Sequence, residues 1–225
     1  MHETVITVRG EFSSRHVAER AIVQMDAAFD GADRQEVFAR ASAAAEAVRH
    51  SVAPLYDSNA GPITEWSSDT ISVWSERPWN NEGLQLPLVY HAKIGLSVKF
   101  RDFEKMSGWI EDVVALDGLT LGSVQWELTE GRKTTVTAEV RSRAVKDAVA
   151  KATVYAQSIG LGSVRAIAIA DPGMLGDQGG SAPEPVYRAN AAMMKSGPGG
   201  GGPELVLKPQ EIDVSATVDA RFVAS

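Results

Sequence analysis

Four histidines, 29 carboxylates, five tryptophans and the glycine tract GPGGGGP at 197–203 are what this chain has to offer for chemistry, and their spacing decides how much of it is usable. Two histidine ligands on one helical face need a spacing of four, as in His-x-x-x-His or His-Glu-x-x-His. His2, His16, His50 and His91 form no such pair, and His16 with Glu19 reads as a solvated edge. A phosphate-binding loop needs a glycine-rich turn between a strand and a helix, closed in its nucleotide form by Gly-Lys-Ser/Thr. Here the tract runs into Pro203 and a strand-like stretch, and that ending is absent from the chain. A serine nucleophile would sit in a Gly-x-Ser-x-Gly elbow, which the sequence lacks. With no cysteine there is no thiol nucleophile, disulfide or thiolate metal site. Carboxylates can be paired in many ways among 29 acids without one pair standing out. Glu111 and Asp112 share a helical stretch with Arg101, Glu104 and Lys105, the pattern of a solvated face. These residues point to no catalytic set, metal or cofactor; an unrecognised hydrolase would need a polar cluster assembled only in three dimensions.

The aromatics offer recognition instead of catalysis. Trp66, Trp74, Trp79, Trp109 and Trp126, with Tyr90, can serve as core, as subunit contact or as a stacking platform. Trp66 and Trp74 are eight residues apart and share a face if the strand between them is unbroken. The candidate interaction surface is therefore Trp66, Trp74 and Trp79, joined by Tyr187.

The elements that must position these residues follow from periodicity. TVITVRG (4–10) alternates and VAERAIVQMDAAF (17–29) continues extended, which predicts a β-hairpin. Residues 31–55 then carry Val37, Ala41, Ala44, Ala45, Val48 and Val52 at helical spacing, between an Asp33 N-cap and Pro54. The order recurs: β-type runs at 63–79 and 86–100 joined by WNNEGLQ, then a helical pattern at 101–118. A strand at 121–130, an alanine-rich helix, and strands at 163–171 and 211–224 complete the chain. Repeated strand-strand-helix units predict an α+β fold, with antiparallel β-sheets carrying helices on one face. The chain reads as one domain over 1–225, divisible into 1–60 with 121–225 and 61–120, with 172–210 a flexible Gly/Pro-rich loop.

Charge narrows the partners. With 29 acidic and 22 basic residues the chain lacks the positive field that attracts nucleic acid. No run approaches the roughly eighteen apolar residues of a membrane span, and MHETVITVRGEF has no export-signal pattern. The expected location is cytoplasmic, or periplasmic or secreted if the mature chain has been trimmed.

On the alanine-rich helix, Val145, Ala148, Val149, Ala152, Tyr155, Ala156 and Ile159 form one apolar stripe, with Arg141, Lys146, Asp147 and Lys151 opposite. Gly160 supplies the left-handed end and Leu161 its apolar partner. The run RSRAVKDAVAKATVYAQSIGLGSVRAIAIAD resembles the signature of the SIMPL-domain family of bacterial proteins. VITVRGE is similar to that family's opening strand, YHAKIGLSVKFRDFEKMSGWIEDVVALDG to its middle element, and LKPQEIDVSATVDARFVA to its closing strand, here begun by Pro209, Gln210 and Glu211. The resemblance implies an α+β chain, homo-oligomeric in at least some members, without established catalytic residues. Members are commonly periplasmic or surface-associated, some are immunogenic, and some are linked to oxidative-stress tolerance. The expected function is that of a non-enzymatic, self-associating protein with a structural, stress-protective or scaffolding role. The alternative is a binding module that uses the Trp-bearing hairpin and the 172–210 loop for a partner protein or small ligand.

Overall fold

A computed structural model describes residues 3–175, 186–189 and 207–225. It contains two antiparallel sheets and three α-helices, an α+β fold. The chain divides into two compact units: residues 1–17, 128–190 and 210–225, and residues 18–127 with 191–209. The breaks fall at 17/18, 127/128, 190/191 and 209/210.

In the first unit, β1 (Thr4–Val17) pairs along its whole length with β9 (Glu211–Ala224), from Thr4 opposite Ala224 to Val17 opposite Glu211. The other side of β9 takes β7 (Val164–Ala170) and β8 (Val186–Ala189). Strict alternation fixes this register: Ile212, Val214, Ala216, Val218, Ala220, Phe222 and Ala224 are all buried, and a one-residue slip would turn every one of them outward. They pack under α3 (Glu130–Ser158), whose buried residues are Val136, Val140, Ala144, Ala148, Ala152 and Ala156. This row of i+4 steps is a single oblique ridge, narrower than the stripe read from the sequence. Val149, Tyr155 and Ile159 stay exposed. Small residues are needed because helix and strand touch backbone to backbone: a Cβ on Gly10 of β1 would collide with the Ala144 carbonyl and with Ala148. At the helix end Gly160 has φ +80°, Gly160 N–H donates to Gln157 O and Leu161 N–H to Ala156 O, the hydrogen-bond pair of a Schellman cap.

The second unit holds β2 (Arg20–Gly31), β3 (Ile63–Ser68), β4 (Ser72–Glu76), β5 (Val89–Phe100) and β6 (Leu119–Glu127). The strand order is β3-β5-β2-β6, with β4 following β3 along the same side of β5. Helices α1 (Arg34–Val52) and α2 (Phe103–Val114) supply the apolar cover: Val37, Ala41, Ala44, Val48 and Val52 from α1, and Met106, Trp109, Ile110 and Val113 from α2. The Asp33 carboxylate caps α1 by accepting from Gln35 N and Glu36 N at 2.7 and 2.9 Å. Asp102 does the same for α2 through Lys105 N at 3.0 Å.

Three expectations change. β1 and β2 form no hairpin: β1 pairs with β9, and β2 with β5 and β6. The residues between them, Ala18 and Glu19, contain no Gly, Asn or Pro that would reverse the chain, so the extended run continues into another sheet. The strand expected at 121–130 ends at Glu127, and the helix begins at Glu130 with Thr129 as N-cap. Its first turns are rich in threonine, a weak helix former. Thr134 and Thr135 each donate their hydroxyl to the carbonyl four residues back, at 3.0 Å. Within the 172–210 loop, Val186–Ala189 is a strand; residues 176–185 and 190–206, with the glycine tract, lie outside the described residues.

Candidate functional site

Trp109 and Trp126 are core residues. Trp109 packs on Phe100 and Trp126 on Phe103, with ring centroids 5.1 Å apart in each pair. The other three tryptophans lie on the β3–β4 side of the second unit, and their placement depends on one extra residue. Ser68 stands opposite Leu96 and Ser72 opposite Lys93, so four steps on one strand match three on its neighbour. This is a bulge, and it reverses parity. Trp66 then faces Val98 on the helix-covered side, whereas Trp74 faces His91 on the open side. The shared face required an unbroken strand, and the bulge removes it. Asp69 holds the bulge in place: its N–H donates to Gly95 O at 2.8 Å, and its carboxylate lies where a Cβ of residue 95 would be.

On the open side the Trp74 indole stacks on the His91 imidazole, 5.2 Å between centroids and 15° between planes. His91 Nε2 is 3.4 Å from the Glu76 carboxylate. The chain then runs into a short arm at 78–86. Leu86 N–H donates to Pro78 O at 2.8 Å and Asn80 N–H to Leu84 O at 2.9 Å. Asn80 Oδ1 accepts from Glu82 N and Leu84 N, and Gly83 takes φ +74°, the turn chemistry that WNNEGLQ offered. The arm leaves Trp79 67%, Leu84 60% and Leu86 40% exposed. The leucines were not singled out from the sequence; their signal is an apolar pair flanking a tight turn. Tyr187, the fourth candidate, lies in β8 opposite Val214, in the other unit from the tryptophans.

A groove of about 700 Å³ opens between the end of α1 and α2. Its lining includes the apolar Pro54, Leu55, Phe103 and Trp109 and the charged Glu104, Lys105 and Asp112. Trp109 Nε1 donates to Ser51 Oγ at 2.9 Å, which in turn donates to Val48 O at 2.8 Å.

The first unit has two ionic clusters. Asp219 accepts from Arg9 Nε at 2.7 Å, Arg9 Nη2 at 3.1 Å and Gly173 N at 2.7 Å, and the Arg9 hydrogen bond holds its carboxyl below the ordinary range. On the edge of β1, Asp147 accepts from Glu11 N at 2.9 Å, Lys151 donates to Arg9 O at 3.0 Å, and the two side chains pair at 2.8 Å. One helical ion pair thus occupies a donor and an acceptor that an incoming strand would use.

His16 contacts Ser14 Oγ at 2.8 Å and Arg132 at 3.3 Å. Among the described residues no three His, Asp or Glu side chains gather as a metal site, and no helix is long and apolar enough to cross a membrane.

Two antiparallel sheets, one built on the β1–β9 pair and covered by α3, the other covered by α1 and α2, define the class: an α+β protein whose exposed chemistry is aromatic and acidic. The family described as SIMPL, protein of unknown function (DUF541), matches residues 6–222, and the chain belongs to that family. No curated protein matches it.

Proposed function

We propose that this chain is a non-enzymatic, self-associating protein with a structural, stress-protective or scaffolding role. The observation that carries the reading is the 78–86 arm, which a hydrogen-bonded turn holds in shape while Trp79, Leu84 and Leu86 stay exposed. Fully burying an exposed side chain of this kind is worth about 1.5–3 kcal/mol, and these three, 40–67% exposed, have roughly half of that still to gain. Six of them across a two-fold contact are therefore comparable with the association cost of about 4–15 kcal/mol. Such a contact would be concentration-dependent. Size exclusion with light scattering across micromolar concentrations should show a species larger than a monomer, shifted toward monomer by Trp79→Ser with Leu84→Ser. A strictly monomeric wild type would sink the reading.

The α1–α2 groove favours a second reading, that of a binding module. Its volume, about 700 Å³, falls within the range of about 300–1,000 Å³ typical of ligand sites. Gly108 lines the groove, and a side chain there meets open space, so Gly108→Trp would fill it without a clash at Cβ. Amine-bearing fragments should shift the Trp109 indole resonance of the wild type and leave that of the filled variant unmoved. Equal shifts in both proteins would remove the groove from consideration.

A further inference from the structure

We propose that the outer edge of β4 docks an extended, basic segment of another protein, with an arginine or lysine side chain seated on the open face of Trp74. This inference rests on the binding-module reading and gives it a partner chemistry at a place separate from the groove. β4 hydrogen-bonds to β5 on one side and, among the described residues, to no strand on the other. Main-chain groups of alternate residues within Ser72–Glu76, those turned away from β5, are therefore open to strand addition, in which backbone bonds supply affinity and alternate side chains supply specificity. The edge of β1 is different: Asp147 and Lys151 occupy its Glu11 N–H and Arg9 C=O.

Trp74 defines what the added strand must bring. One ring face is stacked on His91, its cross-strand partner, and the residue is still 47% exposed. A strand added on the outer edge puts its own residue opposite Trp74 at the same cross-strand spacing, about 4.5–5.5 Å between Cβ atoms. That side chain meets the open ring face as His91 meets the other. A cation is the occupant that both the ring and the charge of this unit select. Indole faces attract ammonium and guanidinium groups, and arginine most often. The second unit carries eighteen acidic and eleven basic residues, the first eleven of each, so the whole net charge of −7 sits on the unit that bears β4. Glu76, two residues along the same face, is exposed and meets the residue of the added strand two places from the one on Trp74. The recognised pattern is therefore two cations at alternate positions of an extended segment.

The test uses the full chain and a fluorescein-labelled peptide, Thr-Val-Arg-Val-Arg-Val-Thr, followed by anisotropy. One control has the two arginines adjacent; the other has proline for the central valine, which removes a ladder N–H. The alternating peptide should bind at least tenfold tighter than either control. Trp74→Ala should weaken it at least tenfold and Glu76→Gln severalfold, with both variants keeping a cooperative melt, so that lost binding is not lost folding. Equal binding of all three peptides, or equal binding by Trp74→Ala, would reduce the effect to diffuse charge attraction and overturn the proposal. Absence of binding overturns it as well. If instead Trp74→Ala dissociates an oligomer of the chain, the β4 edge serves a second copy and the basic segment is ruled out. Peptide contacts that map to the α1–α2 groove would sink this edge while leaving the binding-module reading intact.

Discussion

The most informative single residues are two that looked merely helix-stabilising. Asp147 and Lys151 are an i,i+4 pair with the acid on the N-terminal side, worth a few tenths of a kcal/mol in an isolated helix. In the fold they reach across to β1 and take up Glu11 N–H and Arg9 C=O. The Lys151 hydrogen bond and then the Glu11 N–H hold the Asp147 carboxyl below its usual range, and Asp147 raises the Lys151 ammonium. A carboxyl held low in the folded state stabilises it above the unfolded value, near 4, and that contribution is lost as pH falls through the lower folded value. An ammonium held high acts in the opposite sense: its contribution is complete below about 10.4 and is lost as pH rises through the raised folded value. Asp147→Asn should therefore melt lower than wild type at pH 7 and draw level with it at acid pH. Thermal melts at the two pH values decide this, and a constant difference would refute the linkage. The Asp147→Ala, Lys151→Ala double variant exposes the β1 edge and should aggregate faster on standing, read by light scattering.

At the scale of elements, the contact between α3 and β1 sets the tightest steric demand in the first unit. A Cβ at Gly10 meets helix backbone, which cannot rotate away. Gly10→Ala should cost about 1–3 kcal/mol or more by overpacking, lowering the melting temperature by roughly 2–4 °C per kcal/mol for a chain of this size. Gly131→Ala, in the first turn of α3 and facing open space, should do the reverse, by about 0.4–1 kcal/mol through the unfolded state. If both variants melt alike, close packing is not what keeps glycine at position 10. The same elements show how far the sequence could be read. β9 alternates without a flaw because one face is buried along its length, so its limits at 211 and 224 are legible from period alone. Asp33 and Gly160 are legible as caps because their chemistry is local. Which sheet receives β1, and the parity change between Trp66 and Trp74, are not legible. The first depends on a strand two hundred residues away, the second on one residue that finds no opposite number. The candidate surface was thus half visible: Trp74 and Trp79 as exposed aromatics, but not Trp66 as their neighbour, nor Leu84 and Leu86 beside them.

For the whole molecule, the two units differ in how the chain builds them. Residues 18–127 contain all five strands of the β5 sheet and both helices that cover it, in one uninterrupted stretch. The first unit is discontinuous, and each of its other strands pairs with β9 at the far end of the chain. Removing residues 211–225 should therefore unfold that unit, because β1, β7 and β8 lose their shared neighbour together. The fragment 18–127 should keep a cooperative transition of its own, with stability of about 5–15 kcal/mol as an ordinary domain has. It carries seventeen acidic and nine basic residues, so self-repulsion works against its compact state at neutral pH. Raising sodium chloride to several hundred millimolar screens that repulsion and should raise the fragment's melting temperature. Circular dichroism melts of the fragment at low and high salt test both statements. A non-cooperative melt would show that the second unit depends on the rest of the chain, and a melting temperature that falls with salt would mean that its ion pairs, such as Lys93 with Asp26 at 2.9 Å and Lys99 with Glu65 at 2.8 Å, outweigh the net charge.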